Sequence, residues 1–118
     1  MAAKPVKDNR AYVHDMLESA RHATAYLEGT TLAHFKRDGR TQDAVALRLA
    51  MIDDLSRELD RVSRAKLPAG PVRRARSIRR RITGADGFVD FAVAWKIVKT
   101  ELPPLIAALE QYLLLAGR

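Results

Sequence analysis

The segment RRARSIRRRITGAD, residues 73–86, carries the most concentrated charge in the sequence. Six arginines fall within nine positions, and no acidic residue lies among them: Arg73, Arg74, Arg76, Arg79, Arg80 and Arg81. A guanidinium stays charged at any pH that a protein meets, and it can hold two phosphate oxygens at once. The segment therefore predicts a surface for an anionic neighbour, which could be nucleic acid, an acidic protein or a membrane surface.

The positive charge of the chain is local to this segment. The 118 residues include 21 lysines and arginines against 14 aspartates and glutamates, for a formal net charge of +7. Without the six arginines, 15 basic residues face 14 acidic ones. A local excess indicates a specific anionic partner more than general solubility.

Composition excludes several classes of protein. Hydrophobic residues make up 47% of the chain, as in an ordinary globular domain, and we expect one domain over residues 1–118. The absence of cysteine excludes disulfides and thiolate metal sites. The start MAAKPVKDNR has no apolar signal core, and no apolar run is long enough for a transmembrane helix. We therefore expect a cytoplasmic protein.

Apolar residues recur at helical spacing, and no stretch alternates for long enough to predict a strand. The pattern predicts a first helix over Arg10–Leu27 that Gly29 ends, and a short turn in TTLAHF capped by Thr30 or Thr31. A second long helix begins near Thr41 and ends before the linker KLPAGP. Its predicted inward residues are Val45, Leu49, Ile52, Leu59 and Val62.

The second half of the chain predicts two further helices. One runs from Pro71 to Ile82, and another begins after a capping Asp90 and contains Pro103 and Pro104, where we expect a kink or break. The predicted fold is all-α, an antiparallel bundle of four to five helices with short connections.

On a helical wheel continued from Val72, Arg79 falls on the apolar side of the third helix. Arg73, Arg76 and Arg80 form a flanking stripe, while Arg74 and Arg81 lie nearly opposite. An inward guanidinium needs a carboxylate, phosphate or backbone partner. The simplest expectation is that Arg79 pairs with an acid from another helix or extends its charged end to water.

Three stretches resemble a known family: YVHDMLESARHATAYLEG, RTQDAVALRLAMIDDL and VDFAVAWKIVKTELPPLIAALE. The strings TQDAV and LPPL are the most characteristic. The chain resembles HepT-like proteins of the HEPN superfamily, the toxin half of many prokaryotic toxin–antitoxin pairs. The resemblance implies a helical bundle that forms a homodimer and cleaves RNA with neither metal nor cofactor. It also implies a minimal nucleotidyltransferase antitoxin as partner, which in some pairs adenylylates a tyrosine of the toxin.

The family motif is arginine, four to six residues, histidine, one residue and tyrosine, and this chain departs from it. Counting back from Trp95 places the motif positions at Arg79, Gly84 and Asp86, and no histidine follows His34. Val72 also replaces a tryptophan common in the family, and Asp53 stands where glycine is frequent.

The missing histidine bears directly on catalysis. RNA cleavage needs a proton-transfer group near neutral pH, which histidine provides and arginine does not. We therefore expect a binding module whose arginine helix contacts RNA or the antitoxin, with a degenerate ribonuclease site. The alternative is an active endoribonuclease that uses an unrecognised proton-transfer group. A basic helix on a membrane is disfavoured, because its apolar side is small.

Two further groups of residues could do chemistry. His14, Glu18 and His22 share one face of the first helix, as metal ligands can, but that face lies opposite the apolar stripe and is expected to be solvated, without metal. Asp53, Asp54 and Glu58 are expected to be exposed helix charge. They would pair with Arg57 and Arg61, or instead with the arginines of the basic helix.

Overall fold

The computed structural model describes residues 9–116, and these are helical for most of their length. The described residues contain no β-strand, only one isolated bridge between Thr83 and Val89. The predicted all-α class is therefore confirmed. In chain order, the elements are α1 (Asn9–Tyr26), α2 (Leu32–Phe35), α3 (Gly39–Glu58), α4 (Arg61–Ala65), α5 (Ala69–Ala75), α6 (Ile78–Ile82), α7 (Phe91–Lys96), a π-helical turn (Ile97–Glu101) and α8 (Leu102–Ala116).

Helix α1 forms the centre of the core, packed against α3 and α8. Its buried positions follow the predicted stripe, including Val13, Met16 and Leu27. Burial of such a stripe, rather than intrinsic propensity, supplies most of the stability of a helix of this length. None of the described helices has the length and apolar character to cross a bilayer.

Capping side chains set several helix starts. Thr31 accepts the N–H of His34 at 3.1 Å, and Asp38 accepts the N–H of Thr41 at 3.2 Å. Asp38 is thus the cap of α3, which begins at Gly39, slightly before the predicted start. Asp90 accepts two N–H groups at the start of α7, as predicted. Gly29 has a φ of +74° just beyond α1, a conformation that suits glycine and ends the helix.

The second long helix is interrupted, which the sequence pattern did not predict. Leu59 adopts an extended backbone after α3, and Asp60 then caps α4 by accepting the N–H of Ser63 at 2.8 Å. Two hydrogen bonds between Asn9 and Asp60, of 2.7 and 2.9 Å, connect this break to the start of α1. Helix α4 does not continue the helical phase of α3. Val62 is therefore 65% exposed, and its predicted inward position is wrong.

The predicted third helix is also two helices. Helix α5 ends at Ala75 with Arg76 as its C-cap, and α6 begins after Ser77. The hydroxyl of Ser77 donates to the carbonyl of Arg74 at 2.9 Å, so it closes the end of α5 rather than capping α6. A helical wheel drawn from Val72 therefore does not extend to Arg79.

The irregularity expected at Pro103 and Pro104 lies just before them. The π-helical turn Ile97–Glu101 precedes α8, and the N–H of Leu102 donates to the carbonyl of Ile97. The two prolines then follow within the same continuous helix, at the start of α8. Because proline has no N–H, the carbonyls one turn back receive no α-helical hydrogen bond from them, and those carbonyls lie in the π-helical turn.

Candidate nucleic-acid interface

The N-terminus of α6 is held by an acid from α3. Asp53 is fully buried, and its carboxylate accepts the backbone N–H of Arg79 at 2.8 Å and the Nε–H of Arg57 at 2.7 Å. The first N–H groups of a helix have no partner within the helix. In α6 the Asp53 carboxylate accepts one of these N–H groups, whereas the Ser77 side chain accepts none. The expectation that Asp53 is exposed is wrong, although its pairing with Arg57 is confirmed.

The side chain of Arg79 lies at the surface. Its Nε and Nη2 donate to the two carboxylate oxygens of Asp54 at 2.8 and 2.9 Å, and both side chains are 57% exposed. The hydrogen bonds to Arg79 lower the pKa of Asp54, and the same pair raises the pKa of Arg79. The predicted inward orientation of Arg79 is therefore wrong, whereas the predicted partner, an acid on another helix, is confirmed.

Arg81 turns inward and is 29% exposed. Its guanidinium donates to both carboxylate oxygens of Glu101 at 2.7 and 2.8 Å, to the hydroxyl of Ser77 and to the carbonyl of Arg74. Hydrogen bonding to Glu101 raises the pKa of Arg81. The predicted outward orientation of Arg81 is wrong, because these contacts tie α6 to the π-helical turn.

Gly84 and Asp86 lie in a tight turn after α6. The N–H of Gly84 donates to the carbonyl of Phe88 at 2.7 Å, and Asp86 accepts the N–H of Phe88 at 2.9 Å. A Cβ at Gly84 would lie 3.1 Å from the Asp86 carboxylate and 3.2 Å from the Phe88 carbonyl, which is closer than ordinary contact. Gly87 completes the turn with a φ of +85°. The turn thus closes over the position where a side chain of residue 84 would stand.

The depression beside this turn is acidic. It measures about 340 Å³ and is lined by Gly84, Ala85, Asp86, Phe88, Val89 and Asp90. Two carboxylates and no basic side chain border it, so its field disfavours a phosphate. Arg79 is not among the lining residues.

The histidines make their contacts elsewhere. His14 lies 3.8 Å from Asp15, His34 lies 3.7 Å from Asp38, and His22 packs near Tyr26. Among the contacts within residues 9–116, none joins a histidine to Arg79. The potential ligand atoms of His14, Asp15 and Glu18 lie within 4.8 Å of one another, so Asp15, rather than His22, is grouped with His14 and Glu18 on α1.

A groove of about 690 Å³ runs between α4 and α5, beside the ends of α3 and α6. Its apolar lining residues are Ala65, Ala69 and Val72. Ser77 also lines it, and six arginines surround it: Arg57, Arg61, Arg64, Arg73, Arg76 and Arg80. The predicted stripe of Arg73, Arg76 and Arg80 thus borders one groove, whereas the exposed Arg74 is not among its lining residues.

Three groove arginines, Arg57, Arg61 and Arg64, were not predicted to belong to a binding surface. Within α4, Arg61 and Arg64 are three residues apart and share one helical face, whereas Arg57 lies across the break between α3 and α4, so residue spacing gives no signal for it. Within residues 9–116, only Arg57 among the six has an acidic partner. The Nε–H groups of Arg64 and Arg76 are shielded from water and have no acceptor in this part of the chain. An unmet donor of this kind is unfavourable until an acceptor arrives.

A family model described as Ribonuclease HepT-like matches residues 16–112. The chain belongs to the HepT-like ribonuclease family. No solved structure matches it.

Two relatives of this HepT-like chain come from Methanocaldococcus jannaschii, and both carry a provisional designation as an RNase. MJ0127 is 26% identical over 107 residues, which cover 91% of this chain and 88% of the relative. MJ1380 is 26% identical over 99 residues, which cover 84% of this chain and 91% of the relative.

In this HepT-like chain, the predicted motif residues and the arginine-lined groove are two separate parts of the surface. The structure places Arg79, the predicted motif arginine, in an ion pair with Asp54. It places Gly84 and Asp86, the predicted positions of the motif histidine and tyrosine, in an acidic turn. Five arginines that have no acidic partner among residues 9–116 border the groove instead. Positive charge is thus available for an anion beside the motif positions rather than at them.

Proposed function

We propose that this chain is the HepT-like component of a toxin–antitoxin pair and that it binds RNA or a nucleotidyltransferase antitoxin through its arginine surface. In this proposal, the ribonuclease site is degenerate. Arg79 is the remnant of the motif, and Gly84 and Asp86 occupy the histidine and tyrosine positions. Arg73, Arg74, Arg76 and Arg80 contribute to binding. Arg81 contributes mainly through its charge, because four of its five N–H donors are already used within the protein.

The observation that carries this proposal is the structure of the turn after α6. Cleavage by the 2′-hydroxyl of RNA needs a group that accepts and returns protons near neutral pH and a cation that stabilises the charged phosphorane. Asp86 is the one titratable side chain at the two lost motif positions, and it is occupied by the N–H of Phe88. Arg79, the cation, is paired with Asp54. Loss of an acid–base group costs about 10²–10⁴ in rate.

The second candidate function is an active endoribonuclease. Family membership and the RNase designation of both relatives favour it. Arg79 is retained and more than half exposed, so a phosphate could displace Asp54 and take up the guanidinium. This candidate requires a proton-transfer group from outside the motif positions.

An RNA-cleavage assay in the presence of a chelator separates the two candidates. Purified wild-type protein should leave RNA intact, while the double variant Gly84→His/Asp86→Tyr should gain cleavage that Arg79→Ala then abolishes. The double change is needed because a side chain at residue 84 meets the Asp86 carboxylate. Gly84→Ala/Asp86→Tyr is the matched control, since it imposes the same crowding without an imidazole. Robust wild-type cleavage that Arg79→Ala abolishes would establish the endoribonuclease instead.

The proposal also covers the partners. A homodimer and a minimal nucleotidyltransferase antitoxin are expected by family, and Asp86 offers no hydroxyl for adenylylation. Incubation with ATP and the nucleotidyltransferase of the neighbouring gene should add no AMP to the wild-type protein by intact mass. Asp86→Tyr provides the positive control for a modifiable hydroxyl at that position. Sedimentation analysis should give twice the monomer mass of 13.2 kDa.

A further inference from the structure

Three side chains that can bind a metal ion meet on the outer face of α1. The potential ligand atoms of His14, Asp15 and Glu18 all lie within 4.8 Å of one another, and the Nδ1 of His14 is 3.8 Å from a carboxylate oxygen of Asp15. Glu18 follows His14 by four residues and Asp15 by three, so it is a neighbour of both on the helix surface. Helix geometry thus brings one imidazole and two carboxylates together.

We propose that His14, Asp15 and Glu18 form a surface site for a divalent transition-metal ion, and that Zn²⁺ is the ion this ligand set suits best. The sequence pattern favoured a solvated face without metal, and it grouped His14 and Glu18 with His22 rather than with Asp15. Zinc takes imidazole nitrogen and carboxylate oxygen at about 2.0–2.2 Å, so ligands in a tetrahedral arrangement stand about 3.4 Å apart. Small rotations of the three side chains close the cluster to that spacing.

The backbone that carries these ligands is anchored in the core. Val13, Met16 and Leu17 alternate with the three ligands along α1, and all three are buried. The ligands therefore project from a packed helix, on which the positions of side chains are set more precisely than on a loop. Binding of an ion needs only the side chains to move.

The surroundings supply a further imidazole. His14 and Glu18 border a depression of about 310 Å³ together with Arg21 and His22. The charge of Arg21 is offset in part by Glu110 of α8, 3.7 Å away. His22 lies one turn beyond Glu18, and its Nδ1 is shielded from water and has no partner among residues 9–116. Rotation of this ring would give the nitrogen a partner in a water ligand of the ion.

The chemistry of the ligands selects the class of ion. Mg²⁺ and Ca²⁺ take oxygen ligands, so an imidazole contributes little to their binding, whereas it suits zinc and its neighbours among the transition metals. Three protein ligands leave a position for water or for a group from another molecule. The three residues lie neither at the motif positions nor in the arginine-lined groove, so the site does not depend on the proposed function.

Calorimetric titration with Zn²⁺ tests the proposal on untagged protein, since a polyhistidine tag would itself bind the ion. One ion should bind per chain, and an excess of Mg²⁺ should not displace it. His14→Ala and Glu18→Gln should each weaken Zn²⁺ binding at least about tenfold. His34→Ala is the matched control, because it removes an exposed imidazole 3.7 Å from a different carboxylate, that of Asp38, and should leave the affinity unchanged.

Several results would overturn the proposal. Equal losses in His14→Ala and His34→Ala would show that Zn²⁺ binds isolated imidazoles, and displacement by Mg²⁺ would show a general acidic surface. Absence of saturable Zn²⁺ binding would also exclude the site. His22→Ala should weaken binding less than His14→Ala, and the reverse order would contradict the assigned ligands. Circular dichroism checks that each variant is folded, and a chelator should leave the affinity for RNA unchanged, so this proposal and the proposed function can fail separately.

Discussion

Asp53 of α3 accepts the backbone N–H of Arg79 of α6 at 2.8 Å from a fully buried position. This contact caps a helix that has no cap of its own, and it places the next acid along α3, Asp54, within reach of the Arg79 side chain. One pair of adjacent acids therefore fixes both the backbone and the guanidinium of Arg79. The position and the ion pairing of Arg79 depend on α3 as much as on its own helix, α6.

Removal of the Asp53 carboxylate should destabilise the protein. We expect Asp53→Ala to lower the free energy of unfolding by about 2–4 kcal/mol, because a buried N–H and Arg57 lose a charged acceptor. Chemical denaturation measures the change. The matched change Asp54→Ala, which breaks an exposed pair, should cost about 1 kcal/mol or less. Equal losses for the two variants would show that Asp53 does not have the structural role assigned to it.

Asp54 should limit the access of phosphate to Arg79. Asp54→Asn removes a negative charge and frees the guanidinium fork, so RNA affinity should rise roughly threefold to tenfold at low salt. Asp43→Asn removes an equal charge from an exposed position on the same helix and should change affinity less. Fluorescence titration with labelled RNA provides the measurement. If Asp54→Asn and Asp43→Asn have the same effect, Arg79 makes no specific contact with the bound RNA.

Arg81 should matter for stability more than for binding. Its guanidinium makes contacts with Glu101, Ser77 and the Arg74 carbonyl, so Arg81→Ala should cost about 2–3 kcal/mol. Arg81→Lys should recover only part of that loss, since lysine lacks the planar fork. Arg74→Ala, an exposed neighbour, should be close to neutral in stability. Thermal denaturation ranks the three variants, and a neutral Arg81→Ala would contradict the structural role.

Helix capping makes stability depend on acid pH. Hydrogen bonds from Thr41 lower the pKa of Asp38, and the N–H of Ser63 is the main contact that lowers the pKa of Asp60. Because these folded-state pKa values lie below the unfolded value of about 3.9, their stabilisation is complete above that pH. It is lost as pH falls through the folded pKa values.

The corresponding variants test this linkage. Asp38→Asn keeps an acceptor at the cap but cannot titrate, so its free energy of unfolding should fall less steeply below about pH 4 than that of the wild type. Thr41→Val should flatten the decline only in part, because the backbone N–H of Thr41 still reaches Asp38. Urea denaturation across this pH range measures the slopes, and a slope unchanged in Asp38→Asn would refute the linkage.

The all-α class and the core stripe of α1 followed from the sequence, because both depend on local periodicity. The caps at Thr31 and Asp90 followed for a similar reason, since each side chain binds an N–H only a few residues ahead. Val62 and Arg79 were placed wrongly because the helices that contain them restart at Asp60 and Ser77, and a helical wheel loses its phase at a break. Those breaks are held by partners distant in sequence, Asn9 and Asp53.

The arginine run and the absence of a histidine at the motif positions were readable from the residues alone, because both are matters of composition and spacing. Which arginines are available to a ligand was not readable in this way. Arg79 is paired with Asp54, 25 residues away, and Arg81 with Glu101, 20 residues away. Arg61 and Arg64 join Arg73, Arg76 and Arg80 around one groove only because α4 packs beside α5. Ion pairing and groove formation depend on contacts between helices, and local periodicity carries no information about them.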